Sequence, residues 1–373
     1  MEGQTVESIC AELKQSRSWF FKWQGRYDTG EPDWYETQSR AHRDHPRRVS
    51  AEVQEAVKLV RLSLYNRGLF CGAQAIQWEL KDLSVTPVPS LRTINRILDR
   101  QGLTHRRTGR YEPSGKVYPA LDAGRANQVH ESDFVGPCYV GGPLRFYSFN
   151  TVDLATGRCA VEPVLQRGGQ VIVDAWWAIW RRLGLPDHQQ VDNEMVFYGS
   201  PLHPRSMGPL IRLCLLYRIE LWFIPPGEPW RNGVVEIFND HYEQRFLGRV
   251  AMQGADALRA QSLAFEAKHN GHYRYSKLCG CTPAQALQQS KTVLRFPPSL
   301  DAPRLPLKRP ESGQYHVVRF IRSDRRLDVF GEQFTLPPET AYEYVIGTID
   351  VQTQKLKIYI GQEQVDEKCY AIR

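Results

Sequence analysis

Three acids in this chain sit in three different kinds of segment: Asp133 in VHESDFVGP, Asp192 in HQQVDNE and Glu236 in PPGEPWRNGVVEIFND. The patterning around the first two predicts β-strands that end near each acid, while the apolar spacing after Asn232 predicts a helix with Glu236 in its opening turn. Folding that brings two strand ends and a helix start to one site, in an α/β fold, would gather the three carboxylates. Three converging carboxylates are hard oxygen donors. They suit a pair of Mg²⁺ or Mn²⁺ ions about 3.5–4 Å apart, the arrangement used in phosphodiester chemistry.

Other residues continue the pattern in order. Asp133-Phe134 is followed by a Gly-Leu-Pro turn (Gly184 to Pro186) before Asp192-Asn193, then by Pro226, Pro229 and Asn232-Gly233 ahead of Glu236, and then by His269-Asn270, Leu278, Gly280 and Thr282-Pro283. The ordered set resembles the catalytic core of bacterial insertion-sequence transposases and retroviral-type integrases. That resemblance implies an RNase H-like core over residues 125–290, with Asp133, Asp192 and Glu236 as both the catalytic triad and the ligands of two Mg²⁺ or Mn²⁺ ions. It further implies metal-dependent cleavage at the ends of a DNA element and transfer of the freed 3′-hydroxyl into target DNA, by a homo-oligomer that holds two ends in a synaptic complex.

The chain departs from the family pattern twice. The segment between Asp192 and Glu236 is longer than usual, which an insertion around Tyr198 to Pro209 accounts for, and Tyr273, Arg274 and Tyr275 stand where arginine, proline and histidine are usual. Glu228, Asp240 and Glu243 flank Glu236, but Glu236 alone fits the Asn-Gly-x-x-Glu spacing. Glu131, two residues before Asp133 on the same side of its strand, is expected near the site without holding metal, and Asp153 is expected in a turn role.

At 373 residues the chain exceeds what a single core usually encloses. Its formal charge of +7 fits double-stranded DNA as a partner, and most of the excess lies ahead of residue 125. No apolar run approaches the roughly 20 residues of a membrane span, and the N-terminus lacks a signal peptide's apolar stretch, so the expectation is a cytoplasmic, nucleoid-associated protein with no membrane partner. The eight cysteines are scattered, as in a reduced set. His269, His272, Cys279 and Cys281 invite a zinc reading, but Cys-x-Cys is tighter than usual zinc spacing and the transposase-like tail explains the same stretch.

The expected organisation has five parts. Residues 1–48 hold a helix-turn-helix and linker, with Val6, Ile9, Cys10 and Leu13 on one face and Arg17 and Lys22 displayed by the second helix. Residues 49–103 form a second helical DNA-binding domain whose third helix, capped by Ser90 and stopped by Gly102, projects Arg92, Asn95 and Arg96. Residues 104–124 are a basic linker whose Arg106, Arg107 and Arg110 would track phosphates. The core follows at 125–290, where Arg231 and Asn232 are expected at DNA and Trp177 and Trp180 in an extended core. Residues 291–373 show short strands with turns at Gly331 and Gly347, expected as a small C-terminal β-barrel, with Arg319, Arg322, Arg325 and Arg326 facing DNA. Two other functions share these features: a catalytically silent DNA-binding regulator derived from a transposase, and an RNase H-like nuclease that cuts without joining.

Overall fold

The computed structural model describes residues 3–36, 49–104, 116–141, 144–199, 202–203 and 205–373. Residues 1–51 and 52–373 form two compact units. In the first, α1 (Val6–Glu12) begins at Thr5 and α2 (Arg17–Tyr27) at Ser16, each hydroxyl accepting from the amide three residues on. Trp34 packs edge-on against Trp23 and Tyr27, so aromatic contacts hold the second helix in place of an aliphatic core.

The second unit opens with α3 (Ala51–Asn66), α4 (Ala73–Asp82) and α5 (Leu91–Arg100). Their helically spaced Val57, Val60, Leu64, Ile76, Leu80, Ile94, Ile97 and Leu98 form one apolar cluster. Ser90 caps α5 through the Thr93 amide, and Gly102, at φ +66°, lets Leu103 donate back to the Leu98 carbonyl.

Strands β1 (Val129–Val140), β2 (Leu144–Asp153) and β3 (Cys159–Val164) form an antiparallel meander, followed by α6 (Gly169–Leu183) and β4 (His188–Val191). After β4 come α7 (Met195–Tyr198), α8 (Pro209–Leu216), β5 (Glu220–Phe223), α9 (Gly233–Tyr242), α10 (Gly254–His272) and α11 (Pro283–Ser290). The sheet order β3-β2-β1-β4-β5, with β1, β4 and β5 parallel, is consistent with the core that the resemblance implies. Alternate residues of the meander enter opposite cores, as a two-residue period requires: Phe149 and Ala160 face α6, while Val152, Cys159 and Val161 face α9 and α10. Trp176, Trp177 and Trp180 are all buried, which places the last two in the core. Asp153 takes the expected turn role, accepting from the Asn127 and Thr156 amides.

The C-terminal strands correct an expectation. They are β6 (Gln314–Phe320), β7 (Arg326–Val329), β8 (Glu332–Thr335), β9 (Tyr344–Asp350), β10 (Lys355–Ile360) and β11 (Glu363–Cys369). Instead of closing into a separate barrel, β6 pairs in parallel with β5, and β9, β10 and β11 follow, so nine strands make one sheet. The reason is a shared core. Phe330 of this module stacks on Tyr198 at 4.6 Å and meets Phe223 edge-on at 4.9 Å, both from the preceding α/β part of the chain. Among the described residues no helix is long and apolar enough to cross a membrane.

Candidate active site

β1 and β4 run parallel with Glu131 opposite Gln190. Continued by two residues, that register brings Asp133 level with Asp192 at the C-terminal end of β4. Burial pushes the Asp133 carboxyl up to about 7, and the charges of Asp192, Glu194 and Glu236 add to the rise. Burial also pushes Asp192 up to about 6; its Oδ1 accepts from the Glu194 amide, and Arg167 pulls the other way.

Glu236 lies in the first turn of α9, half-buried. That helix and the turn before it are fastened to β1 and β4. Glu131 Oε2 accepts from the Val234 and Val235 amides at 2.9 Å each, satisfying two donors that a helix start leaves free. Asn232 Nδ2 donates to the Ser132 carbonyl at 3.0 Å, and Gln190 Nε2 donates to the Arg231 carbonyl at 2.9 Å. One turn beyond Glu236, Asn239 Nδ2 donates to Asp133 Oδ2 at 2.9 Å and Asn239 Oδ1 accepts from Asn150 on β2. Residues three apart share a helix face, so Glu236 lies on the face of α9 turned toward Asp133. Burial, then Asp240, raises the Glu236 carboxyl.

The alternative acids are differently placed. Glu228 is paired with the Arg231 guanidinium at 2.9 Å and accepts from Tyr344 Oη, while Asp240 and Glu243 are exposed. His269 directs Nε2 to the Gly157 carbonyl and Tyr275 Oη, a packing role in the interior.

The residues expected at DNA divide into three groups. Arg17, Lys22, Arg92, Asn95 and Arg96 are exposed on α2 and α5, with Arg17 3.4 Å from Glu7. Arg231 and Asn232 are used inside the protein: Arg231 stacks on Tyr118 at 4.1 Å and binds Glu228, and Asn232 is only 2% exposed. Arg106, Arg107 and Arg110 lie outside the described residues. Arg319, grouped at sequence level with Arg322, Arg325 and Arg326 as a phosphate contact, is buried instead. Its guanidinium donates to the Asn193 Oδ1 at 2.8 Å and to the Ile224 and Asp328 carbonyls, and burial pushes it down to about 10.

Four side chains join the site without having been singled out for it. Asn239 and Arg319 act as above. Arg167 lies over the Phe134 ring and pairs with Glu194 Oε1 at 3.1 Å, while Glu194 Oε2 is buried with no hydrogen-bond partner among the described residues. Glu194 carried a local signal, standing two residues after Asp192; the others meet the site only through tertiary folding.

The donor set fits a hard divalent cation: it is all oxygen, its carboxyls repel one another, and a buried Glu194 oxygen is unspent. No three His, Cys, Asp or Glu side chains among the described residues form a ready-made metal cage. Asp133 and Asp192 supply the level pair, and Glu236 stands on the adjoining helix.

No protein-family model matches the chain, and no curated protein matches it. Among solved structures it is similar to the HTLV-2 integrase catalytic core domain in complex with magnesium, in its trimeric form, at 16% identity and a TM-score of 0.33, over 43% of this chain and 97% of that one. A chain of the simian T-cell lymphotropic virus intasome in complex with PP2A regulatory subunit B56 gamma aligns at 13% identity and a TM-score of 0.40, over 84% and 99%. The BIV integrase catalytic core domain aligns at 15% identity and 0.34, over 44% and 97%. Likenesses this distant carry no chemistry, which rests on the side chains above.

Proposed function

We propose that the chain is a DDE-type DNA transposase. The observation that carries this reading is the level pair Asp133 and Asp192 beside a helix whose start is locked to the same strand by Glu131. Asp133 and Asp192 would hold a divalent cation, with Glu236 completing the oxygen set. Such a cation, when bound, supplies positive charge to the scissile phosphate and its attacking and leaving oxygens. Asn239 orients the Asp133 carboxyl, Arg167 steadies the Asp192 side through Glu194, and Arg319 fixes Asn193 next to Asp192.

Water would attack a phosphodiester at each element end, breaking one P–O bond and freeing a 3′-hydroxyl. That hydroxyl would attack target DNA, breaking one P–O bond as it forms another, so the joining step needs no external energy source. The exposed Arg92, Asn95 and Arg96 of α5, with Arg17 and Lys22 of α2, supply the sequence-reading faces of this scheme. Two ends must be held together, which calls for an oligomer.

The test is strand transfer with purified protein, Mg²⁺ or Mn²⁺, duplexes carrying the DNA that flanks this gene, and a supercoiled target. Joined products from wild type and none from Asp192→Asn are expected. Nicking without joining would mark a nuclease, and metal-independent binding with no product would mark a DNA-binding regulator.

A further inference from the structure

Away from the acids, α3 and α4 meet the segment that follows α9 and the one that follows α10 across a cavity of about 550 Å³. Arg61, Arg245, Arg249 and Arg274 line it together with Tyr65 and Trp78. Arg274 is paired with Asp82. The other three donate to backbone: Arg61 to the Cys71 carbonyl at 2.6 Å, Arg245 to the Leu69 carbonyl at 2.7 Å and Arg249 to the Tyr65 carbonyl at 3.1 Å. Among the described residues none of these three has a carboxylate in ion-pair range, and Arg245 Nε is buried with no hydrogen-bond partner. The neighbouring Lys268 feels the crowding: burial first, then Arg249, Arg67 and Arg245, push its ammonium pKa down. Like charges gathered in a half-enclosed space carry a standing cost that an anion would relieve.

The cavity also offers flat surfaces. The Arg249 guanidinium lies 4.7 Å from the Tyr65 ring centroid and that of Arg274 lies 5.1 Å from Trp78. Trp78 is held from behind, because Gly280, at φ +89°, approaches so closely that a Cβ there would stand 2.8 Å from the indole. A duplex is convex and offers such a hollow only phosphates. An unstacked nucleotide offers a phosphate to the guanidiniums and a base to the ring faces.

We propose that this cavity holds one unstacked nucleotide of a DNA strand, its phosphate among Arg61, Arg245 and Arg249 and its base against Tyr65 and Trp78. The inference rests on the DNA-processing reading above but not on the acid site. It is therefore tested in the full chain carrying Asp192→Asn, in EDTA, by titrating labelled duplexes that are blunt or bear a short single-stranded overhang.

The overhang should tighten binding about tenfold, the worth of one base stacked on an aromatic ring. Trp78→Ala and Arg249→Ala should each lose that preference while binding blunt duplex as before, and Trp78→Phe should keep it. Arg249 is exposed, so its variant reads out the cavity even if Trp78→Ala melts early. Equal binding of blunt and overhang DNA by wild type, or a preference surviving in Arg249→Ala, overturns the proposal. So does a free deoxynucleoside monophosphate that binds while the overhang adds nothing, which would make the ligand a soluble nucleotide. A wild-type chain that binds neither duplex would remove the DNA reading itself, and variants that lose blunt binding along with the preference would overturn the single-nucleotide site.

Discussion

Asp133 and Asp192 are carboxyls kept from water beside each other, and their protons report it. Both pKa values, about 7 and about 6, lie above those of the unfolded chain, so the folded state binds protons more tightly. Stability in EDTA therefore falls as pH rises from about 4 toward 7, and these groups oppose folding most at alkaline pH. Asp133→Asn, which imitates the protonated acid, should raise stability at pH 8 by about 1–2 kcal/mol after allowance for solvent screening, and change little at pH 5. Thermal unfolding in EDTA checks this; a pH-independent difference between variant and wild type would refute the coupling. The two acids themselves were legible from the strand-forming residues around them, although β1 runs on past Asp133 to Val140 instead of ending there, and only Asp192 follows the end of its strand. Asn232 was misjudged for a physical reason: a polar side chain before a helix has the same appearance whether it meets DNA or, as here, satisfies a strand carbonyl.

α9 owes its placement to a residue far from it in sequence. Glu131 was legible as lying on the same side of β1 as Asp133, but its partners, the Val234 and Val235 amides, lie about a hundred residues away and meet it only through tertiary packing. Glu131→Ala leaves those two amides unpaired in a buried setting and should cost about 2–3 kcal/mol in urea unfolding. It should also depress strand transfer in the fraction that stays folded, since Glu236 rides on the same turn. Glu131→Gln keeps an acceptor for the amides and should be much milder; equal losses from both substitutions would point to the charge in place of the acceptor. The helix cap at Ser90 was legible because it depends on a neighbour three residues away.

At the scale of the molecule, the strands after residue 313 were largely visible one by one, and β11, rich in charge, was the exception. What local pattern could not reveal was the pairing of β6 with β5, since both strands look alike whether they border a barrel or extend a sheet. The continuous sheet makes the module part of the core's stability. A chain ending at residue 312 would bare the edge of β5 and the core face around Phe223, and should aggregate or unfold without cooperativity. A soluble shortened chain with a sharp calorimetric transition would show that the module is dispensable.

The unbroken sheet also behaves as a ruler. Six strand-to-strand steps separate β1, which carries Asp133, from β11. At about 4.8 Å a step, they set the outermost strand roughly 29 Å from the strand bearing the first acid, with hydrogen bonds along the whole span. A flexible tether would let that distance wander. Here the outer strands stand at a near-constant remove from the acids, so that interval is a fixed length written into the fold.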